Sequence, residues 1–132
     1  MNIIGIDPGP KMGAWVKWNI ETQRIEWHNI WEMNEVINYI SSGDEGSENT
    51  IVVIEMIQSF GMPVGSEIFE TCVNIGRIME VSWYPVERVY RRDVKLHFCG
   101  TNRAKDSNIR QVLIDRLGGP GTKINQGVTY GL

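Results

Sequence analysis

Two short apolar runs, Ile3-Ile4-Gly5-Ile6 and Ile51-Val52-Val53-Ile54, each end on a carboxylate, Asp7 and Glu55. Runs this brief and rich in Ile are strands, and the second reads as a central strand covered on both faces. Pro8 and Gly9 follow Asp7, so the chain turns directly after the acid. Strand ends of this kind sit at the rim of a buried sheet, where ligand and metal sites form. A carboxylate beside an apolar run needs a partner to stay charged, and a divalent cation is an effective one. Asp7 and Glu55 therefore point to a Mg²⁺ or Mn²⁺ site shared by strands far apart in sequence. The plainer alternatives are a turn-initiating Asp before Pro-Gly and a surface Glu just past its strand.

The pattern around these runs gives strands over 2–7, 12–19, 24–31, 51–55 and 86–90, the first three antiparallel because their connections are short. Met33, Val36, Ile37 and Ile40 have helical spacing, giving a helix over 33–41. A second helix over 66–80 has Ile68, Cys72, Ile75 and Met79 on one face, with Gly76 as a point of close approach by another backbone. A short helical turn covers 92–98. A last helix over 106–117 turns Ile109, Val112, Leu113 and Leu117 inward and stops at Gly118. Segments 41–49 and 58–65 read as loops, and 118–132 carries no clear element. The order describes a mixed-sheet α/β layout, and 132 residues suit one domain. Asp7 and Glu55 meet if the strands that bear them are parallel neighbours.

The net charge of −3 hides a segregation of sign. Residues 1–76 hold three basic and eleven acidic side chains, and residues 77–132 hold ten and five. Arg88, Arg91, Arg92, Lys95, Arg103, Lys105 and Arg110 belong to the basic half. Such a division fits a phosphate-binding flank beside an acidic metal centre, or else a solvated charged face. No apolar run approaches the roughly 20 residues that span a bilayer, so no membrane partner is expected. Cys72 and Cys99 lack metal-ligand spacing and read as reduced thiols of a cytoplasmic protein.

This order of elements, with acids at these strand ends, resembles the ribonuclease-H-like nucleases, and within them the RuvC-type Holliday-junction resolvases. Ile3-Ile4-Gly5-Ile6-Asp7-Pro8-Gly9 is similar to that family's opening strand with its first catalytic Asp, and Ile51-Val52-Val53-Ile54-Glu55 to the strand bearing its catalytic Glu. Asn74-Ile75-Gly76-Arg77 resembles the helix after that Glu. Val89-Tyr90-Arg91-Arg92-Asp93-Val94-Lys95 and Lys105-Asp106-Ser107-Asn108-Ile109 resemble its later basic segments, and short phage-borne members look nearest. The resemblance implies a five-stranded mixed sheet flanked by helices, a homodimer, branched double-stranded DNA as substrate and Mg²⁺ or Mn²⁺ as cofactor. It gives Asp7 and Glu55 the catalytic, metal-binding roles, with Asp7 as bridging ligand, and Lys105 a phosphate contact. Arg91, Arg92, Lys95 and Arg103 would track the DNA backbone. Phe60, with Met62, would wedge into a branch point or stack on a base, core packing or a dimer contact being the alternatives.

One departure stands out. The family's final helix brings further acids, or a histidine and an acid, to the metals, whereas this sequence ends at Gly127-Val128-Thr129-Tyr130-Gly131-Leu132, where that helix would begin. A shortened member is implied, with part of one sheet face uncovered. Asp106 and Asp115 are the spare acids. Asp106 also suits a helix N-cap, and Asp115 a solvated position. Two functions follow: a metal-dependent endonuclease for branched DNA, or a catalytically incomplete DNA-binding relative with the same fold.

Overall fold

The strands fall within one residue of the bounds that the pattern of apolar and polar residues gives them. A computed structural model describes residues 1–43, 49–58, 61 and 63–132, so Phe60 and Met62, and most of the loop over 41–49, lie outside the described residues. The elements are β1 (Asn2–Asp7), β2 (Met12–Asn19), β3 (Arg24–Glu32), α1 (Met33–Ser42), β4 (Thr50–Met56), α2 (Ser66–Val81), β5 (Val86–Tyr90), α3 (Arg91–Cys99) and α4 (Asp106–Leu117). The five strands form one sheet in the order β3-β2-β1-β4-β5. β1, β2 and β3 pair antiparallel through short turns, whereas β4 joins β1, and β5 joins β4, in parallel. The parallel joins are reached through α1 and α2, as crossovers require. The expected mixed sheet, antiparallel across its first three strands and flanked by helices, is therefore found.

The core lies on one side of this sheet. Ile4 and Ile6 of β1, Trp15 of β2, and Val52 and Ile54 of β4 pack against Met33, Val36, Ile37 and Ile40 of α1 and Ile75 and Ile78 of α2. Val36, Ile40, Val52, Ile54 and Ile78 are wholly shielded from solvent. Trp15 stacks on Tyr39 with ring centres 5.0 Å apart and meets Trp31 edge-on at the same distance, so these strand aromatics are used in packing. Ile51 and Val53, on the opposite face of β4, are only half-buried, which corrects the expectation of a strand covered equally on both faces.

That second face explains the difference. α3 and α4 pack together, and no residue of either is fully buried; Ile109, Val112, Leu113 and Leu117 are half-buried. Between α4 and the β1–β3 end of the sheet lies a cavity of about 1230 Å³, with Ile3, Val16 and Trp18 on one wall and Phe98, Leu113 and Leu117 on the other. The glycine-rich segment after α4 closes part of it. That segment has no regular element, yet it is pinned at Asn125, which is 2% exposed and donates to the Gly119 carbonyl at 2.9 Å. Tyr130 donates to the Gly118 carbonyl, and the Gln126 carbonyl meets His28 Nε2, each within 3 Å.

α2 departs most from its sequence reading. Its buried residues are Thr71, Asn74, Ile75 and Ile78, whereas Cys72 is exposed and Met79 is 43% exposed. The helix is turned so that a polar residue faces in, because Asn74 has bonds to make there: its Nδ2 donates to the carbonyls of Gly9 and Pro10. An apolar-periodicity argument scores Asn74 as outward and misses the turn. As a result Phe69, Cys72, Val73 and Met79 lie on the solvent side, together with Gly76, where an added Cβ would meet nothing within 4 Å.

Candidate metal centre and basic rim

Asp7 closes β1 and Glu55 stands one residue before the end of β4. The parallel register pairs Ile6 with Ile54, so the two acids are the next step along adjacent strands, and strands are spaced only about 5 Å apart. The register thus brings the two carboxylates together, at the carboxyl ends of the parallel strands. Glu55 pairs onward with Val89 and Met56 with Tyr90, so Arg91, the first residue after β5, emerges on the same rim.

The loop after Asp7 is held from two sides. Asn74 bonds its carbonyls, as described, and Gly9 packs so tightly that a Cβ there would lie 2.2 Å from the Met12 carbonyl oxygen. Only glycine makes this turn without displacing the chain next to Asp7. Arg77 in turn donates to Asn74 Oδ1 at 3.2 Å and to Asn34, which fixes the amide with its donor side toward the loop. The resembling stretch Asn74-Ile75-Gly76-Arg77 therefore divides its work: Asn74 and Arg77 brace the turn, and Gly76 faces outward.

A cavity of about 330 Å³ opens at the rim, lined by Asp7, Pro8, Glu55, Met56, Ile57, Gln58, Arg91, Arg92, Lys95 and Asn102. Asp7 is open to solvent at its tip, yet the protein around it desolvates the charge and the Glu55 carboxylate repels it, so its pKa is raised; Arg91 pulls in the other direction. Arg91 Nη1 donates to Glu55 Oε1 at 3.1 Å, and Nη2 donates to Asp106 Oδ1. The Asp106 bond is the main reason that the Arg91 pKa is raised and the Asp106 pKa lowered. Arg91 is thus the cation shared between the acid of β4 and the first residue of α4.

Of the other predicted residues, Arg92 and Lys95 line the same cavity, one helical turn apart on α3. Arg103 and Lys105 do not line it. Both are exposed on the connection that leads into α4. Asp106 does not cap that helix. Lys105 occupies the capping position, and its backbone N–H is taken by Asn108 Oδ1 at 2.9 Å, which leaves Asp106 free to face Arg91. Asp115 is exposed and accepts from Gln111 at 2.8 Å, away from the rim. Gln58 and Asn102 were not foreseen: amides in loops carry no periodic signal, and only the fold brings them to the cavity.

Among the described residues no group of three His, Cys, Asp or Glu side chains surrounds a common point. Two carboxylates nevertheless fit a hard divalent ion such as Mg²⁺, which is commonly bound through one or two carboxylates with water or phosphate oxygens completing its shell. Gln58 Oε1, buried on the same rim without a hydrogen-bond partner among the described residues, is a further neutral oxygen donor.

No protein-family model and no curated protein matches the sequence. The fold does have solved counterparts. RuvC of Thermus thermophilus superposes with a TM-score of 0.71 at 13% identity, covering 89% of this chain and 80% of that one. A second structure, Thermus thermophilus RuvC in complex with a Holliday junction substrate, gives 0.65 at 12% identity over 88% of this chain and 79% of that one. At such low identity the likeness rests on architecture alone, and it is extensive: the chain has a RuvC-like fold.

Proposed function

We propose that this protein is a metal-dependent endonuclease that cuts phosphodiester bonds in branched DNA such as Holliday junctions. The observation that carries the reading is the placement of Asp7 and Glu55 side by side at the ends of β1 and β4, on a rim lined by Arg91, Arg92 and Lys95. Asp7 and Glu55 would hold Mg²⁺ or Mn²⁺. Bound divalent ions supply two things: a nucleophilic water at neutral pH and charge neutralisation at the scissile phosphate. The chain's own part is positional. Asn74 and Gly9 hold Asp7 at the strand end, and Arg92 and Lys95 offer donors to the phosphates on either side of the cut. Arg103 and Lys105 would extend the basic flank along the duplex arm, and Phe60 would meet the branch point. The neighbouring RuvC structure with a Holliday junction supports the class of substrate. The protein would act in the host-cell cytoplasm, where DNA and Mg²⁺ are both available.

Two such rims are needed to cut a two-fold symmetric junction, so the acting form is a homodimer. The exposed side of α2 supports this, since Phe69 and Val73 are each more than half exposed beside the open Gly76. A synthetic four-way junction incubated with Mg²⁺ or Mn²⁺ tests the proposal. Wild type should cut it near the branch point, and Asp7→Asn or Glu55→Gln should slow cutting on the order of 10²–10³-fold while binding persists.

The second reading, a DNA-binding relative without catalysis, draws on the lack of a third acidic, histidine or cysteine ligand among the described residues. Junction binding by the wild type with no cutting in either metal would establish it in place of the first.

A further inference from the structure

We infer that Arg91 is a tethered counter-ion which competes with a divalent metal for Glu55, so that this side chain, with Asp106 as its anchor, sets the metal affinity of the site. The inference rests on the reading of Asp7 and Glu55 as metal ligands. It adds a competitor inside the protein and a role for an acid that lies on a helix and not on a strand.

The geometry is that of a bridge. One guanidinium nitrogen lies 3.1 Å from Glu55 Oε1, and the other is bonded to Asp106 Oδ1. A guanidinium and a divalent ion are recognised by the same carboxylate oxygens. While Arg91 holds Glu55 Oε1, a metal approaching Asp7 and Glu55 finds one of that carboxylate's two oxygens already bonded and must sit close to a fixed positive charge. Arg91 cannot give way by losing its proton, because an arginine stays charged at any physiological pH. It can only turn aside.

Its position in the chain makes turning aside costly. Arg91 is the first residue of α3, where the helix dipole disfavours a cation. The side chain therefore depends on its two carboxylate partners. Asp106 opens α4, where the same dipole favours an acid, and it is not occupied in capping. Asp106 thus supplies the standing half of the bridge and Glu55 the half that the metal contests. Asp106 is accordingly a positioning residue: its loss leaves Arg91 with Glu55 as the one remaining carboxylate of the pair and ties the two more tightly.

Mn²⁺ binding to the full chain without DNA, measured by calorimetry and by the electron paramagnetic resonance signal of free Mn²⁺, tests this directly. Arg91→Gln should tighten Mn²⁺ binding by at least about tenfold. Arg91→Lys, which keeps the charge but loses the fork, should fall between the variant and wild type. Asp106→Asn should weaken binding relative to wild type. Far-ultraviolet circular dichroism on each variant shows that it is folded, and the lysine variant stands in should the glutamine variant fail to fold. If Arg91→Gln, or in its place Arg91→Lys, binds Mn²⁺ no more tightly than wild type, while Glu55→Gln abolishes binding, the counter-ion role is wrong and the metal centre stands. If neither wild type nor any Arg91 variant binds Mn²⁺, the metal centre and the inference fall together.

Discussion

Asn74 Nδ2 lies 3.0 Å from the carbonyl oxygen of Gly9, joining the middle of α2 to the turn that follows Asp7. The same amide reaches the Pro10 carbonyl at 3.1 Å, and the residue is 6% exposed. Asn74→Ala removes the amide that two loop carbonyls share, and should cost about 1–3 kcal/mol in urea unfolding for the two lost hydrogen bonds. It should also weaken Mn²⁺ binding, because the loop it braces carries Asp7. Lost stability with unchanged Mn²⁺ affinity would reduce Asn74 to a packing role.

Gly9 makes a sharper test of the same loop. A methyl group at this position would lie 2.2 Å from the Met12 carbonyl, so the backbone must move. Gly9→Ala should cost about 1–3 kcal/mol and displace Asp7, lowering junction cutting more than junction binding. Equal losses of cutting and binding would point to general unfolding instead.

Asp7 makes the metal-free protein sensitive to pH. Desolvation and then the Glu55 charge raise its pKa in the folded state. Between the ordinary Asp value, about 3.9, and the raised one, the native chain holds this proton more firmly than the unfolded chain does. Stability contributed by the protonated form is therefore present below that window and is lost as pH rises through it. Asp7→Asn removes the titration. In EDTA at neutral pH the variant should be the more stable protein, by at most about 1 kcal/mol because solvent reaches the carboxyl, and the two melting curves should converge at acid pH. A stability gap that stays constant with pH would contradict this.

The basic rim should reveal itself through salt. Arg92→Ala and Lys95→Ala should each reduce the slope of log affinity against log salt for a four-way junction by about one, with little dependence on the sequence of the arms. Slopes that match wild type would remove these residues from the interface.

The outer side of α2 gives the last test. Val73, 56% exposed, lies beside Phe69 and the open Gly76. Val73→Glu should convert the protein to a monomer in sedimentation velocity. Gly76→Ala should stabilise the helix of the separated chain by about 1 kcal/mol yet loosen the dimer, since the space it fills is where the partner would sit. Wild type that sediments as a monomer at high concentration would refute the dimer.

The elements of the described residues were legible because most rest on local patterning. Alternation along β2 and the i, i+3, i+4 spacing of Met33, Val36, Ile37 and Ile40 are readable within a dozen residues. The sequence left the meeting of Asp7 and Glu55 conditional: β3 runs parallel to β1 and a helical crossover leads from β3 to β4, but that β4 lies next to β1 is decided by the strand order. The face of α2 was not legible. Ile68, Cys72, Ile75 and Met79 form a convincing apolar stripe, but the buried side includes Asn74, whose partners lie 64 and 65 residues earlier. Asp106 was misjudged for a related reason: an acid at the start of a helix reads as a cap, and its bond to Arg91 depends on how α3 and α4 pack.

The amino-acid sequence by itself determined where strands and helices begin and end, and which two acids stand at the sheet's edge, because backbone geometry and side-chain alternation act between near neighbours. Tertiary structure alone decided what those acids touch. Arg91 reaches Glu55 across 36 residues of chain and Asp106 across 15, and such bonds are set by strand order and helix packing. No local pattern encodes them, because a hydrogen bond between distant residues forms only after the intervening chain has folded.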